Sequence, residues 1–155
     1  MSCDRAYEDR LDHVADALRL ASGPTAGLFA DVIGSVCTRL PVPANAGEAA
    51  RIGRLIEAGA PLDAVLALVE CELPQWRLRR LVLDGSRWCC SLSTQPSLPI
   101  GFDDTADGEH DDIVLAILTA FVAALRMSRT APGSSAPVMR NSAASSDALC
   151  CDGFL

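Results

Sequence analysis

Hydrophobic positions recur every three or four residues through the first half of the chain, a spacing typical of amphipathic helices. The spacing predicts helices over residues 4–21, 25–40, 45–58 and 61–72. Breaks at Ser22-Gly23-Pro24 and Pro41-Val42-Pro43 separate the first three helices. A fifth helix is predicted over residues 113–127, where the apolar stripe is broad enough that we expect this helix to be the most buried element.

Between the fourth and fifth helices the pattern changes to alternation of apolar and polar residues. This predicts two antiparallel strands joined by a turn at Asp84-Gly85. In the second strand Trp88, Cys90 and Leu92 share one face. In the first strand the alternation loses phase, and a β-bulge near Arg79-Arg80 would restore it.

The two tryptophans fall one in each predicted strand, at Trp76 and Trp88. Large aromatic side chains commonly anchor a core. We therefore expect the two rings to lie side by side on paired strands, beneath the fifth helix and its Phe121.

Composition divides the chain into three parts. Residues 1–43 form a predicted N-terminal helical segment that ends in a stiff, Pro-containing linker. Residues 44–127 form an α-β-β-α module with a loop over 94–112, and residues 128–155 form a predicted disordered tail rich in Ser, Ala, Pro and Gly. The predicted fold class is α+β, with helices packed on a small antiparallel hairpin or sheet. A lone hairpin is marginal in water, so we expect its open edge to gain a strand from another segment or from a second copy of the chain.

Four stretches of this module are similar to the phage ABA-sandwich type of small protein, which occurs in phages, prophages and bacteria. The stretches are Leu62 to Val69, Leu73-Pro74-Gln75-Trp76, Gly85 to Cys90 and Leu115 to Phe121. The resemblance implies helix–sheet–helix layers and brings no active site with it. The extra N-terminal helices and the long tail depart from that pattern.

The chain is acidic, with 20 Asp and Glu against 13 basic residues in 155 and a net charge of −7. The length is that of one domain. The negative charge repels nucleic acid and anionic membranes at long range. No run approaches the roughly 18 unbroken apolar residues that span a bilayer, and residues 1–10 are too charged for a signal peptide. We expect a cytoplasmic protein without membrane contact.

Seven cysteines occur without any C-x-x-C pair, which favours free thiols over a metal or disulfide framework. Cys89 and Cys90 are adjacent, so on a strand they point to opposite faces and cannot bind one ion together. Either of them with His110 falls short of the four ligands of a zinc site.

Four arginines in the hairpin, Arg77, Arg79, Arg80 and Arg87, form the basic cluster of the sequence and lie close to Trp76. Arginine beside an aromatic ring can bind phosphate and stack on bases. The same cluster can instead recognise an acidic protein, or be neutralised by the acidic loop nearby. The negative net charge favours the last of these interpretations, an exposed face neutralised by the loop, over nucleic-acid binding.

The acidic loop, residues 103–112, is the densest set of potential metal ligands. Aligned as a calcium-binding EF-hand loop, it starts at Asp103 but has Val114 where a bidentate Glu is required. We therefore expect Asp111 or Asp112 to cap the fifth helix. His13 lies near Asp9 and Asp16 on one helix face, where an ordinary charged surface is the commoner arrangement.

No catalytic motif is present in the sequence, and we expect no cofactor or metal. The leading hypothesis is a non-enzymatic module for protein–protein interaction, as a homodimer joined through the hairpin edge or with another protein. One alternative is a nucleic-acid-associated regulator that uses the arginine face. The other is a small enzyme that uses Cys89 or the acidic loop.

Overall fold

The computed structural model describes residues 2–130 of the chain, and of Ile100 only the backbone. In this range the helices are α1 (Ser2–Leu20), α2 (Ala26–Val36), α3 (Ala46–Glu57), α4 (Pro61–Glu72) and α5 (Ile113–Thr130). The strands are β1 (Arg77–Asp84), β2 (Arg87–Ser93) and β3 (Thr105–His110). The α+β class, with helices on a small antiparallel sheet, is confirmed. The first three residues of the predicted tail belong to α5, and the rest of the tail lies outside the described residues.

The sheet has the order β1-β2-β3, and both pairs of strands are antiparallel. The predicted bulge is confirmed, because the register of β1 on β2 shifts between Leu78 and Arg80 and leaves Arg79 unpaired. The predicted turn is also confirmed. Gly85 adopts a positive φ of 63°, which glycine tolerates without steric cost.

The strand β3 lies inside residues 94–112, which were predicted to be a loop, so that prediction was wrong. The residues of β3 that face α5 include Ala106 and Gly108, which are too small to produce an apolar alternation in the sequence. They are small because α5 packs directly on the strand. A Cβ at Gly108 would lie 2.5 Å from the carbonyl oxygen of Ala116 and closer still to the nitrogen of Ala120.

The expected pairing of the two tryptophans was wrong. Trp88 pairs with Leu83 next to the turn, whereas Trp76 precedes β1 at the opposite end of the hairpin. A two-residue turn pairs residues that lie equally far from it, and these two do not. Trp76 instead packs at the end of α5, where its Nε1 donates a hydrogen bond to Ser128 Oγ at 3.0 Å.

The helix α5 is the centre of the core, as predicted. Ten of its residues are buried, among them Leu115, Ile117, Leu118 and Phe121 with no exposed surface. One side of α5 contacts β2 and β3, and other sides contact α1 and α4. By length and composition α5 would also suit a membrane span, but 56% of it is buried within this fold, as in the core helix of a soluble protein.

The helix α2 ends at Val36, four residues before the predicted end. The chain turns there because Glu72, at the end of α4, binds the backbone that follows. Its carboxylate accepts hydrogen bonds from the N–H groups of Thr38, Arg39 and Leu40 at 3.1, 2.8 and 2.5 Å. These bonds tie the connection between α2 and α3 to the C-terminal end of α4.

Candidate functional site

The arginines of the hairpin do not form one open basic surface. Arg79, the bulged residue, forms an ion pair with Asp103, and the two side chains are only 15% and 1% exposed. Its Nη2 also donates to the carbonyl oxygen of Leu98 at 2.6 Å. Asp103 in turn accepts a hydrogen bond from Ser93 Oγ at 2.6 Å. Arg79 therefore fastens the bulge to the connection between β2 and β3.

The other residues of the predicted basic site are dispersed. Arg77 donates to the carbonyl oxygen of Pro74 at 3.0 Å, and Arg87 lies 3.6 Å from Asp111 in an exposed ion pair. Trp76 is only 7% exposed, so its ring offers no open face for a base to stack on. Arg80 is exposed. The prediction that the acidic loop neutralises part of the cluster is confirmed by the pairs of Arg79 and Arg87 with aspartates of that loop.

The outer face of the sheet, defined as the side directed away from α5, carries mixed charge. The register places three arginines on it, Arg77, Arg80 and Arg87, and four acidic side chains at or near it, Asp84, Asp107, Glu109 and Asp111. At its centre Asp107 accepts hydrogen bonds from the hydroxyls of Ser91 and Thr105, at 2.5 and 3.1 Å. This balance does not favour phosphate binding.

The acidic loop performs structural roles in the described residues. Asp112 caps α5, because its Oδ1 accepts hydrogen bonds from the N–H groups of Val114 and Leu115 at 2.8 and 3.1 Å. This confirms the expected helix cap. His110 Nδ1 accepts a further hydrogen bond from the N–H of Asp112 at 3.0 Å. Within residues 2–130 no three His, Cys, Asp or Glu side chains come together in a way that could hold a metal ion.

The adjacent cysteines of β2 point to opposite faces, as predicted. Cys90 is buried against the core, and Cys89 is half-buried on the outer face. Burial raises the pKa of the Cys90 thiol to about 12, with a smaller contribution from Asp107. Burial also raises the pKa of Cys37, and Glu72 adds to that effect. Cys90 and Cys37 are therefore protonated at neutral pH and are not activated nucleophiles.

A cavity of about 240 Å³ lies beside Glu72, between α1, the start of the hairpin and α5. Its lining includes Tyr7, Arg39, Trp76 and Arg129. The guanidinium of Arg129 lies 4.4 Å from the centre of the Tyr7 ring. Every buried polar side-chain atom in the described residues has a hydrogen-bond partner, so this cavity presents no such atom unpaired to a ligand.

A further candidate is the β1 edge, which we define as the unpaired side of β1 together with Leu78, Leu81 and Leu83. Within residues 2–130, β1 pairs only with β2. Leu78 and Leu83 lie on the inner face of β1 and are 43% and 55% exposed. The α5 helix lies under β2 and β3, and β1 extends beyond it.

A groove continues the β1 edge towards α4. It has a volume of about 450 Å³, and its lining combines apolar residues such as Leu66, Leu78 and Ile117 with the charged Glu70 and Arg77. The alternation in the sequence placed Leu78 on the inner face but gave no sign that this face is left uncovered at β1. That feature depends on the position of α5, which no local pattern encodes.

No protein-family model, curated protein or solved structure matches the chain. The similarity to the phage ABA-sandwich proteins therefore stays a prediction.

Proposed function

We propose that this protein is a non-enzymatic interaction module that binds another polypeptide along the β1 edge. The observation that supports this proposal is the open strand with its exposed Leu78 and Leu83. An unpaired strand presents a row of backbone donors and acceptors, and a strand from a partner can bind them by extending the sheet. The exposed leucines supply the apolar surface that such a strand would bury.

The two alternative functions have less support. A nucleic-acid regulator would need Trp76 accessible and a basic outer face, and Trp76 is buried while the face carries mixed charge. An enzyme using Cys89 would need a base or a positive group beside the thiol. Cys89 shares the outer face with Arg80 and Arg87, but its direct partners across the sheet are Val82 and Glu109, and Arg87 is paired with Asp111.

We also propose a cytoplasmic location. The described cysteines, Cys3, Cys37, Cys71, Cys89 and Cys90, are all free thiols. Free thiols are typical of a reducing compartment.

Leu83→Lys tests the proposed function, because a lysine there places a charge where the partner strand would pack. Leu20→Lys is the matched control, since Leu20 is 86% exposed at the end of α1 and distant in sequence from β1. Tagged full-length chains are used to capture proteins from cells of the source organism. We expect the wild type and Leu20→Lys to retain the same partners and Leu83→Lys to lose them. Identical capture by all three chains would contradict the proposal.

A further inference from the structure

We propose that the polypeptide bound at the β1 edge is the β1 strand of a second copy of this chain. Two β1 strands would pair antiparallel across a two-fold axis and join two three-stranded sheets into one of six strands. This inference rests on the proposed function and specifies its partner.

The sequence of β1 is complementary to itself when the bulged Arg79 is set aside. The remaining ladder positions are Arg77, Leu78, Arg80, Leu81, Val82, Leu83 and Asp84. Leucines occupy every position on the inner face, and the charged residues lie on the outer face. Leu81 is the central position of this series, so an antiparallel copy centred on it matches inner face with inner face.

This register brings chemically matched residues together at five of the seven positions and places Arg80 opposite the second copy's Val82 at the other two. On the inner face Leu78 lies opposite the second copy's Leu83, and Leu81 lies opposite its own counterpart. On the outer face Arg77 lies opposite the second copy's Asp84. Apolar pairs and pairs of opposite charge are both stabilising between neighbouring strands. Symmetry repeats the Leu78–Leu83 and Arg77–Asp84 pairs, so each occurs twice in the dimer.

In this register the second copy meets the bulge as β2 does, with Arg79 as the extra residue between Leu78 and Arg80. The side chain of Arg79 is already held by Asp103 and by the carbonyl oxygen of Leu98. It therefore stays with its own subunit. The two-fold axis is perpendicular to the sheet, so the helices of both copies lie on the same side. The grooves beside α4 then lie near the new interface.

The other open edge of the sheet, at β3, is not self-complementary. Its inner positions include Ala106 and Gly108, which provide almost no apolar side chain to bury. Its outer positions Asp107 and Glu109 are both acidic, so an antiparallel copy would bring like charges together. The charge pattern thus favours β1 over β3 as the edge that pairs.

Light scattering coupled to size-exclusion chromatography tests the pairing on the full chain. We expect a mass approaching twice 16.3 kDa as the concentration rises. A strand-to-strand contact is smaller than the roughly 1,200 Å² of a stable interface, so dissociation in the micromolar range is expected. A wild type that stays monomeric up to hundreds of micromolar overturns the inference, and β1 is then covered by a different protein or by another part of the chain.

Charge reversal tests the register. Arg77→Glu and Asp84→Lys each place like charges opposite one another twice in the dimer, so each should weaken self-association by about tenfold. An equimolar mixture of the two variants restores both pairs in a heterodimer and should recover dimerisation. Arg51→Glu, on the exposed surface of α3, is the control and should leave dimerisation unchanged. A mixture no more dimeric than the single variants overturns this register.

The inference and the proposed function can fail separately. If the wild type is monomeric but Leu83→Lys still loses its cellular partners, the β1 edge is an interaction surface and only the inference that its partner is a second copy is wrong. If Leu83→Lys keeps both the partners and the self-association of the wild type, the β1 edge is not an interaction surface and both fail.

Discussion

At the scale of single residues, Gly108 is the described glycine that lies closest to a neighbouring element. The residue faces α5 so closely that no side chain fits between the strand and the backbone of the helix. This contact sets the distance between the sheet and its core helix. The choice of glycine here is therefore steric, and it explains why β3 carries no hydrophobic signal in the sequence.

Gly108→Ala should destabilise the protein by about 3 kcal/mol, because the new methyl group meets backbone atoms of α5 that cannot move independently. Gly53→Ala is the matched control. A Cβ at Gly53 has nothing within 4 Å, and alanine in the interior of α3 should stabilise by about 1 kcal/mol. Urea unfolding followed by tryptophan fluorescence measures both changes. Equal stability of the two variants would contradict this packing of α5 on β3.

The buried thiol of Cys90 makes stability depend on alkaline pH. Its pKa is about 12 in the folded chain against 9.0 for a free thiol, so the folded state keeps its proton after the unfolded state has lost it. The contribution of Cys90 to the free energy of unfolding is therefore fully present below pH 9. It falls as the pH rises from 9 towards 12, by up to about 1.4 kcal/mol per pH unit.

Unfolding free energies measured between pH 8 and pH 11 test this dependence. We expect Cys90→Ala to lower stability at pH 8 and to show a shallower decline above pH 9 than the wild type. A wild-type stability that is constant across this range would exclude the buried, protonated thiol.

At the scale of elements, local patterns predicted the helices and the hairpin because each buries one regular face. The bulge was predictable for the same reason, since only an extra residue brings Leu81 and Leu83 into phase with the buried face. The strand β3 was not predictable, because its inner positions hold small residues that pack through their backbone. The separation of Trp76 from Trp88 could have been predicted by counting residues from the turn at Gly85.

The candidate site was less predictable than the fold. The arginine cluster was visible in the sequence, but the partners that occupy Arg79 come from a connection some 20 residues away and are set by tertiary structure. Nothing in the local sequence pattern distinguishes the buried Glu72 from an ordinary polar residue at the end of α4. The exposure of Leu78 and Leu83 depends on where α5 lies under the sheet.

Asp103→Asn should destabilise the protein by about 2 kcal/mol, because it leaves the guanidinium of Arg79 largely buried without a compensating charge. Asp104→Asn is the matched control, since this neighbouring aspartate is exposed and should change stability by less than about 0.5 kcal/mol. Thermal unfolding by circular dichroism compares them. Equal melting temperatures would show that the ion pair with Arg79 does not stabilise the bulge.

At the scale of the whole molecule, one helix organises the structure. The buried α5 holds β2 and β3 on one side and contacts α1 and α4 on others. The remaining strand, β1, extends beyond α5, and its leucines are partly exposed. The residues around α5 are thus packed on its several sides, whereas β1 keeps an unpaired edge. We place the contact with a second molecule at that edge.

Hydrogen exchange at increasing protein concentration tests this central claim most directly. Pairing of β1 with a second copy protects amides of residues 77–84 that are otherwise open to solvent. The exchange of amides at the other edge, residues 105–110, is unchanged by this pairing. We expect exchange in 77–84 to slow as the concentration rises from micromolar to hundreds of micromolar. Exchange that does not change in 77–84, or that slows in 105–110 instead, would contradict the account.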